Sequence, residues 1–155
     1  MGQLSIKDRV ILFDDADADL VGAYQWHLHL TPTVTYARGY PHGQRAGGLT
    51  YMHRLLTGAE RGRDVDHINH DGLDNRRANL RVCSRSQNTA NRHVAMSASG
   101  VKGVHFEACT GRWRAELGYQ GKRFRLGRFD TLEDAADAYS RKAREVFGEF
   151  ANPVG

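Results

Sequence analysis

The sequence predicts an α+β protein in which short antiparallel strands and a few helices are split between two small units. Three observations lead there. Residues 112–119 and 122–129 alternate apolar and polar side chains, and the spacing turns helical after Thr131. A strand, a long polar turn, a second strand and a capped helix start can be traced through 64–93. Further short alternating runs precede them. At 155 residues the chain suits one compact domain or two very small ones, and its 40% apolar content permits burial.

In chain order, 9–13 (RVILF), 24–30 (YQWHLHL) and 33–40 (TVTYARGY) are expected as strands separated by turns. The segment 14–20 (DDADADL) superficially suits calcium, but it lacks the sixth-position glycine and distal glutamate of such a loop. The apolar 49–58 (LTYMHRLLTG) is expected as a helix closed by Gly58, with His53 packed rather than ligating. Next come a strand at 64–68 (DVDHI), the turn NHDGLDNRRAN, and a strand at 80–83 (LRVC). Ser84 followed by Gln87 is a capping box for the helix after it, which puts Asn88 in or just beyond its first turn. Residues 94–100, small and aperiodic, are expected as a linker between a first domain over 1–93, with its core at 51–93, and a second over 101–155.

In the second domain, strands are expected at 101–107, 112–119 and 122–129, with turns at ACTG and QG. Trp113, Ala115, Leu117 and Tyr119 point one way, and Arg112, Arg114 and Glu116 the other. Gly127 allows a bulge that returns Phe129 inward. A helix begins at Thr131 with Asp134 completing its cap. Leu132, Ala135, Ala136, Tyr139, Ala143, Val146 and Phe147 form its core stripe. Its alanines let the helix lie close on the sheet and leave the arginine face bare.

Charge distribution narrows the function classes. The net charge of +4 is mild, but residues 98–128 carry seven basic and two acidic side chains, whereas 129–155 carry three and six. A basic sheet backed by an acidic helix is the footprint of a small DNA-binding module. No transmembrane helix is expected, and MGQLSIKDRV lacks the apolar core of a signal peptide. Cys83 and Cys109 stand far apart, which argues against a disulfide framework or a four-cysteine zinc site and for a reducing cytoplasm. A zinc module using His67, His70 and His93 lacks cysteine support.

The polar turn carries the chemistry. Cutting a phosphodiester needs a base for water, a cation on the phosphate and a rigid frame. His67 suits the base, because its free pKa of ~6.5 leaves it neutral near physiological pH. Asp66 and the amide of Asn88 offer the oxygen ligands that magnesium takes. Asn79 is placed to hold the long turn through hydrogen bonds to backbone. Arg76, Arg77, Arg81 and Arg92 are candidates for positioning a nucleic-acid backbone.

The series VDHINHDGLDNRRANLRVCSRSQN, preceded by YMHRLL, closely resembles the HNH endonucleases of phage and homing type, which share a ββα-metal fold. The resemblance implies a DNA endonuclease with His67 as general base, Asp66 and Asn88 as ligands of Mg²⁺ or Mn²⁺, and Asn79 as the asparagine that orients the histidine-bearing loop. It implies no structural zinc, products with 5′-phosphate and 3′-hydroxyl ends, and a phage or mobile-element setting in a bacterial cytoplasm. The segments KGVHFEACTGRWRAEL, RLGRF and TLEDAADAYSRKAREVFGEFANP resemble the APETALA2/ethylene-response-factor type of domain, whose three-stranded sheet lies in the DNA major groove. By that resemblance Lys102, Arg123 and Arg125 sit at groove-contacting positions. His105 and Glu107 replace usual arginines, and Cys109 lies near an expected tryptophan. Arg112 and Arg114, on the same face, are expected to contact phosphates. The expected partner is double-stranded DNA, with no membrane, and the chain is expected to be a monomer in solution. The alternative is a DNA-binding regulator with an inactive nuclease core, against which stands the filling of every expected site position.

Overall fold

The computed structural model describes residues 1–44, 48–91 and 98–152. Their contacts divide into two compact units, Met1–Ser84 and Arg85–Gly155.

The first unit opens with a hairpin of β1 (Gly2–Ile6) and β2 (Arg9–Phe13). Strand β1 lacks an apolar run, yet Leu4 and Ile6 alternate toward the core. A 3₁₀ turn at Asp15–Asp17 leads into the short helix α1 (Ala18–Gly22). Strands β3 (Tyr24–Leu30), β4 (Thr35–Pro41) and β5 (Thr50–Tyr51) form an antiparallel sheet in that order. Helix α2 (Met52–Thr57) follows at once and ends where Gly58 adopts φ 62°, a left-handed cap that glycine takes without strain. Strands β6 (Asp64–His67) and β7 (Leu80–Cys83) pair as a separate hairpin. The core gathers Ile11, Trp26, Ala37, Met52, Leu56, Leu73 and Leu80 from these elements. The Trp26 indole donates to the Val21 carbonyl at 2.8 Å, so its buried N–H is satisfied.

The second unit holds helix α3 (Arg85–Asn91), strands β8 (Val104–Glu107), β9 (Arg112–Tyr119) and β10 (Lys122–Phe129), and helix α4 (Leu132–Phe147). The strands form one antiparallel sheet with β9 central. Between Arg125 and Gly127 the register shifts, with Gly127 at φ 132°, which puts Phe129 opposite Trp113. Thr131 caps α4 by accepting from the Asp134 amide at 3.1 Å, while its hydroxyl donates to the Asp134 carboxylate at 2.7 Å. Ala135, Tyr139, Ala143 and Phe147 of α4 are buried, as are Val104, Ala115 and Leu117 of the sheet. Helix α3 groups with this unit, where the amide of Asn152 donates to the Asn91 carbonyl at 3.1 Å. The expected linker falls largely on 92–97 and the expected end of the domain on 153–155, outside the described residues.

The backbone of this unit packs tightly at Gly103. It takes φ 63°, and a Cβ there would lie 2.2 Å from the Glu116 carbonyl oxygen and 2.5 Å from the Tyr139 ring. Both the conformation and the space exclude a side chain. Gly103→Ala is therefore expected to destabilise the second unit by at least the ~1–3 kcal/mol of an overpacked core, read as an earlier urea midpoint.

Candidate active site

The β6–β7 hairpin places Asp66 directly opposite Arg81 and His67 opposite Leu80. Between the strands, the long turn is tied down along its length. The Asn79 side chain accepts from the Asn69 amide at 3.0 Å and donates to the Asn69 side chain at 2.9 Å and the Asp74 carbonyl at 2.8 Å. Asn69 and Asp71 each accept from a backbone amide two residues on, at 2.9 Å, making successive Asx turns. His70 completes the bend with φ 65°. Farther round, the Leu12 amide donates to Leu73 at 2.9 Å and the Asn75 amide to Leu12 at 2.8 Å, so the turn is stitched to β2. Gly72 presses on β4, where a Cβ would meet the Thr35 carbonyl oxygen at 2.4 Å. This segment is a fixed platform.

His67 emerges from that platform into an aromatic nest. It is 6% exposed, and its ring lies 5.1 Å from His53 at an interplanar angle of 89° and 5.9 Å from Tyr36. His53 stacks on Tyr51 at 5.2 Å and meets Tyr36 at 5.6 Å. Burial pushes the His67 imidazole below its ordinary range, against the pull of Asn75 and the carboxylates of Asp66, Asp71 and Asp74. The wholly buried Asn75 side chain favours the imidazolium, the largest of these opposing effects. His53 is pushed down to about 3, chiefly by burial and then by His67 and Arg54. Both shifts favour the neutral ring, and a neutral imidazole is the form that accepts a proton.

Asp66 is 6% exposed and receives Arg81 Nε at 2.8 Å and Nη2 at 2.7 Å, both on Oδ2. As a hard oxygen donor held by a cation across the hairpin, Asp66 fits a magnesium-type ion that takes few protein ligands and keeps waters or phosphate oxygens. Among the described residues, no group of three His, Cys, Asp or Glu is arranged around a common metal position. Asn88, the other expected ligand, lies half-buried in α3 of the second unit. Cys83 is wholly buried, and burial pushes its thiol up to about 11.

The arginines of the turn have definite anchors. Arg81 holds Asp66, Arg76 holds the buried Asp74 at 2.6 Å, and Arg77 holds the buried Asp17 at 2.7 Å. Asp14 accepts the Arg77 amide at 2.8 Å, so the acidic segment that superficially suits calcium anchors the turn instead. Arg76 and Arg77 remain partly exposed, whereas Arg81 is 13% exposed. Arg92 lies outside the described residues.

On the β8–β9–β10 sheet, register places His105 beside Arg114, Arg114 beside Arg128, and Glu116 beside Arg125 on the face opposite Ala115 and Leu117. Arg112 and Arg123 continue that face. Simple alternation along the strand does not put Arg128 on this face; only the bulge at Gly127 returns it to this side. Glu107 receives Arg128 at 2.6 Å and Arg114 at 3.0 Å, and Arg128 foremost holds its carboxyl below the usual range. Arg123 reaches Glu116 at 3.7 Å and Arg112 reaches Asp130 at 2.9 Å, whereas Arg125 makes no ion pair among the described residues. Lys102 corrects the expectation of a groove contact. It is 7% exposed and donates to the Ala90 carbonyl at 2.7 Å, because the chain reaches the sheet face only after Gly103.

The first unit thus carries an Asp-His pair on a latched hairpin, and the second a basic sheet face. The HNH endonuclease family matches residues 51–90, and the AP2 domain matches residues 99–149. The chain thus carries an HNH endonuclease segment and, C-terminal to it, an AP2 domain. It is similar to an uncharacterized HNH endonuclease of Acanthamoeba polyphaga mimivirus, at 29% identity over 139 residues, 86% of this chain and 68% of that protein. It is also similar to protein 3.8 of Escherichia phage T7, at 33% identity over 88 residues, 56% of this chain and 72% of that protein. No solved structure matches significantly.

Two outcomes follow from this geometry. His53 is neutral in the fold down to about pH 3, whereas in the unfolded chain it takes a proton near its ordinary 6.5. The unfolded state then binds more protons in that window, so stability falls as pH drops from about 6.5 toward 3, by up to ~1.4 kcal/mol per pH unit for one proton. Urea titrations at several pH values, followed through Trp26 in a Trp113→Phe background, are expected to show a shallower acid slope for His53→Phe. Asn79→Ala removes the contacts that hold Asn69 and Asp74 and is expected to cost ~1–3 kcal/mol, with faster amide exchange in the turn as the reading.

Proposed function

We propose that the chain is a metal-dependent endonuclease that hydrolyses phosphodiester bonds of duplex DNA, with the C-terminal sheet supplying much of the DNA affinity. The observation that carries this reading is the neutral, buried His67 beside Asp66, on a turn held by Asn79. His67 takes a proton from water, whose oxygen then attacks phosphorus in line. The bond from phosphorus to the 3′ oxygen breaks, and that oxygen gains a proton from solvent, leaving 5′-phosphate and 3′-hydroxyl ends. Asp66 and Asn88 are the residues proposed to hold Mg²⁺ or Mn²⁺. When bound, such an ion supplies positive charge at the phosphate and at the leaving oxygen. Asn79 fixes the direction of the His67 ring by fixing its loop, and Arg81 fixes the Asp66 carboxylate.

Arg76 and Arg77 retain exposed guanidinium surface for backbone contacts. On the C-terminal sheet, His105, Arg112, Arg114, Arg123, Arg125 and Arg128 form the proposed DNA face. One site per chain supports a nick per event, with double-strand cutting requiring a second chain or a second encounter. The phage and virus relatives support a mobile-element or homing-type role inside a host cytoplasm.

Plasmid relaxation with and without magnesium tests the reading. His67→Ala is expected to keep duplex binding while cleavage falls by ~10²–10⁴-fold, the usual weight of a general base. Asp66→Ala is expected to abolish cleavage at low magnesium with partial recovery at high magnesium or manganese, and Asn88→Asp to be milder because an oxygen ligand survives. Duplex binding by the wild type without any magnesium-dependent relaxation leaves the DNA-binding regulator instead.

A further inference from the structure

Strands β3 and β4 lie outside both matched segments, and the sheet they form with β5 has one face in the core and one open. Trp26 and Ala37 point inward. On the other side Gln25 lies opposite Tyr40, His27 opposite Arg38, His29 opposite Tyr36, and Arg38 in turn opposite Tyr51. None of these residues is a carboxylate. Arg38 is half-exposed and makes no ion pair among the described residues, unlike Arg76, Arg77 and Arg81. Guanidinium, imidazole, phenol and amide groups together offer many donors and no negative charge.

This face runs into the candidate site without a break. His29 meets Tyr51 at 5.7 Å, Tyr36 meets Tyr51 at 5.9 Å, Tyr51 stacks on His53, and Tyr36 and His53 both touch the His67 ring. We propose that the open face of the β3–β4–β5 sheet seats the backbone of duplex DNA leading to the bond that His67 addresses, with Arg38 on a phosphate. The absence of carboxylates selects a polyanion, and the continuity with His67 selects the stretch of duplex beside the cut. Seven-residue strands span about 20 Å at ~3.3 Å per residue, comparable to roughly six base pairs of duplex at ~3.4 Å each. The Tyr40 phenol and Gln25 amide then fall on sugar and phosphate oxygens, contacts that fix register without reading sequence. The assignment rests on the nuclease reading above and names the part of the substrate that the first unit holds.

The test uses the full chain and a fluorescein-labelled random-sequence duplex in EDTA. Arg38→Gln is expected to raise Kd about 5–10-fold and to reduce the salt slope by ~0.9, the loss of one phosphate contact. In magnesium, its single-turnover rate at saturating protein is expected to stay within about twofold of wild type, which places the loss in binding. A second measurement needs no variant: photocrosslinking of the wild type to an iododeoxyuridine-substituted duplex is expected to mark residues 24–40. Crosslinks confined to 98–128 overturn the proposal whatever Arg38→Gln does, and so does an unchanged Kd and salt slope for that variant. Crosslinks on 24–40 in a wild type that never cuts DNA with magnesium refute the nuclease reading and leave this surface standing.

Discussion

The Asn79 carboxamide is the constraint from which the rest of the site follows. One side chain closes the turn from both directions, accepting from the backbone of Asn69 and donating to Asn69 and Asp74. An unrestrained polar turn of this length samples many conformations, and each ordered residue costs roughly 1–2 kcal/mol of backbone entropy. Here the cost is offset by a dense set of local bonds and by docking on β2 and β4, where Leu73 is buried and Gly72 admits close backbone approach. The result is a fixed turn directly after His67.

Fixing the turn matters because the surroundings of the His67 ring are apolar and aromatic. Two buried imidazoles 5.1 Å apart cannot both carry charge cheaply, so His67 disfavours the protonated state of His53, on top of desolvation. The carboxylates nearby work in the opposite sense on His67, while Arg81 and Arg76 neutralise Asp66 and Asp74. The acidic and basic residues of the turn are therefore one network. The arginines that look like free phosphate contacts in the sequence also keep the carboxylates around the histidine paired.

The second unit uses the same economy of charge on a different surface. Helix α4 packs through small residues, Ala135 and Ala143, so it lies close on the sheet and leaves the far side to arginines. Glu107 and Glu116 sit among those arginines and hold several of them in place, whereas Arg125 stays unpaired among the described residues. A face of spaced guanidinium groups is more ordered than a row of mobile lysines, because planar forks lose less freedom for each hydrogen bond formed.

Much of this protein was legible in the chain itself. Strands β2, β3, β7, β9 and β10 follow from alternation, α4 from its stripe and its Thr131 cap, and the Asp66-His67-Asn79 series from the spacing of a few polar residues. Those signals are local: each depends on side chains within a few positions of one another. Tertiary structure decided whatever depends on contact between distant segments. Strand β1 needs β2 as a partner, and the burial of His53 against His67 needs α2 to meet β6. Arg77 reaches back sixty residues to Asp17. Lys102 turns inward and Arg128 outward because of Gly103 and the bulge at Gly127, neither of which changes the local pattern of charge. Sequence spacing determined which chemical groups were present and on which element. Only packing decided which were neutral, which were paired and which remained on the surface, because burial and charge pairing arise where elements meet.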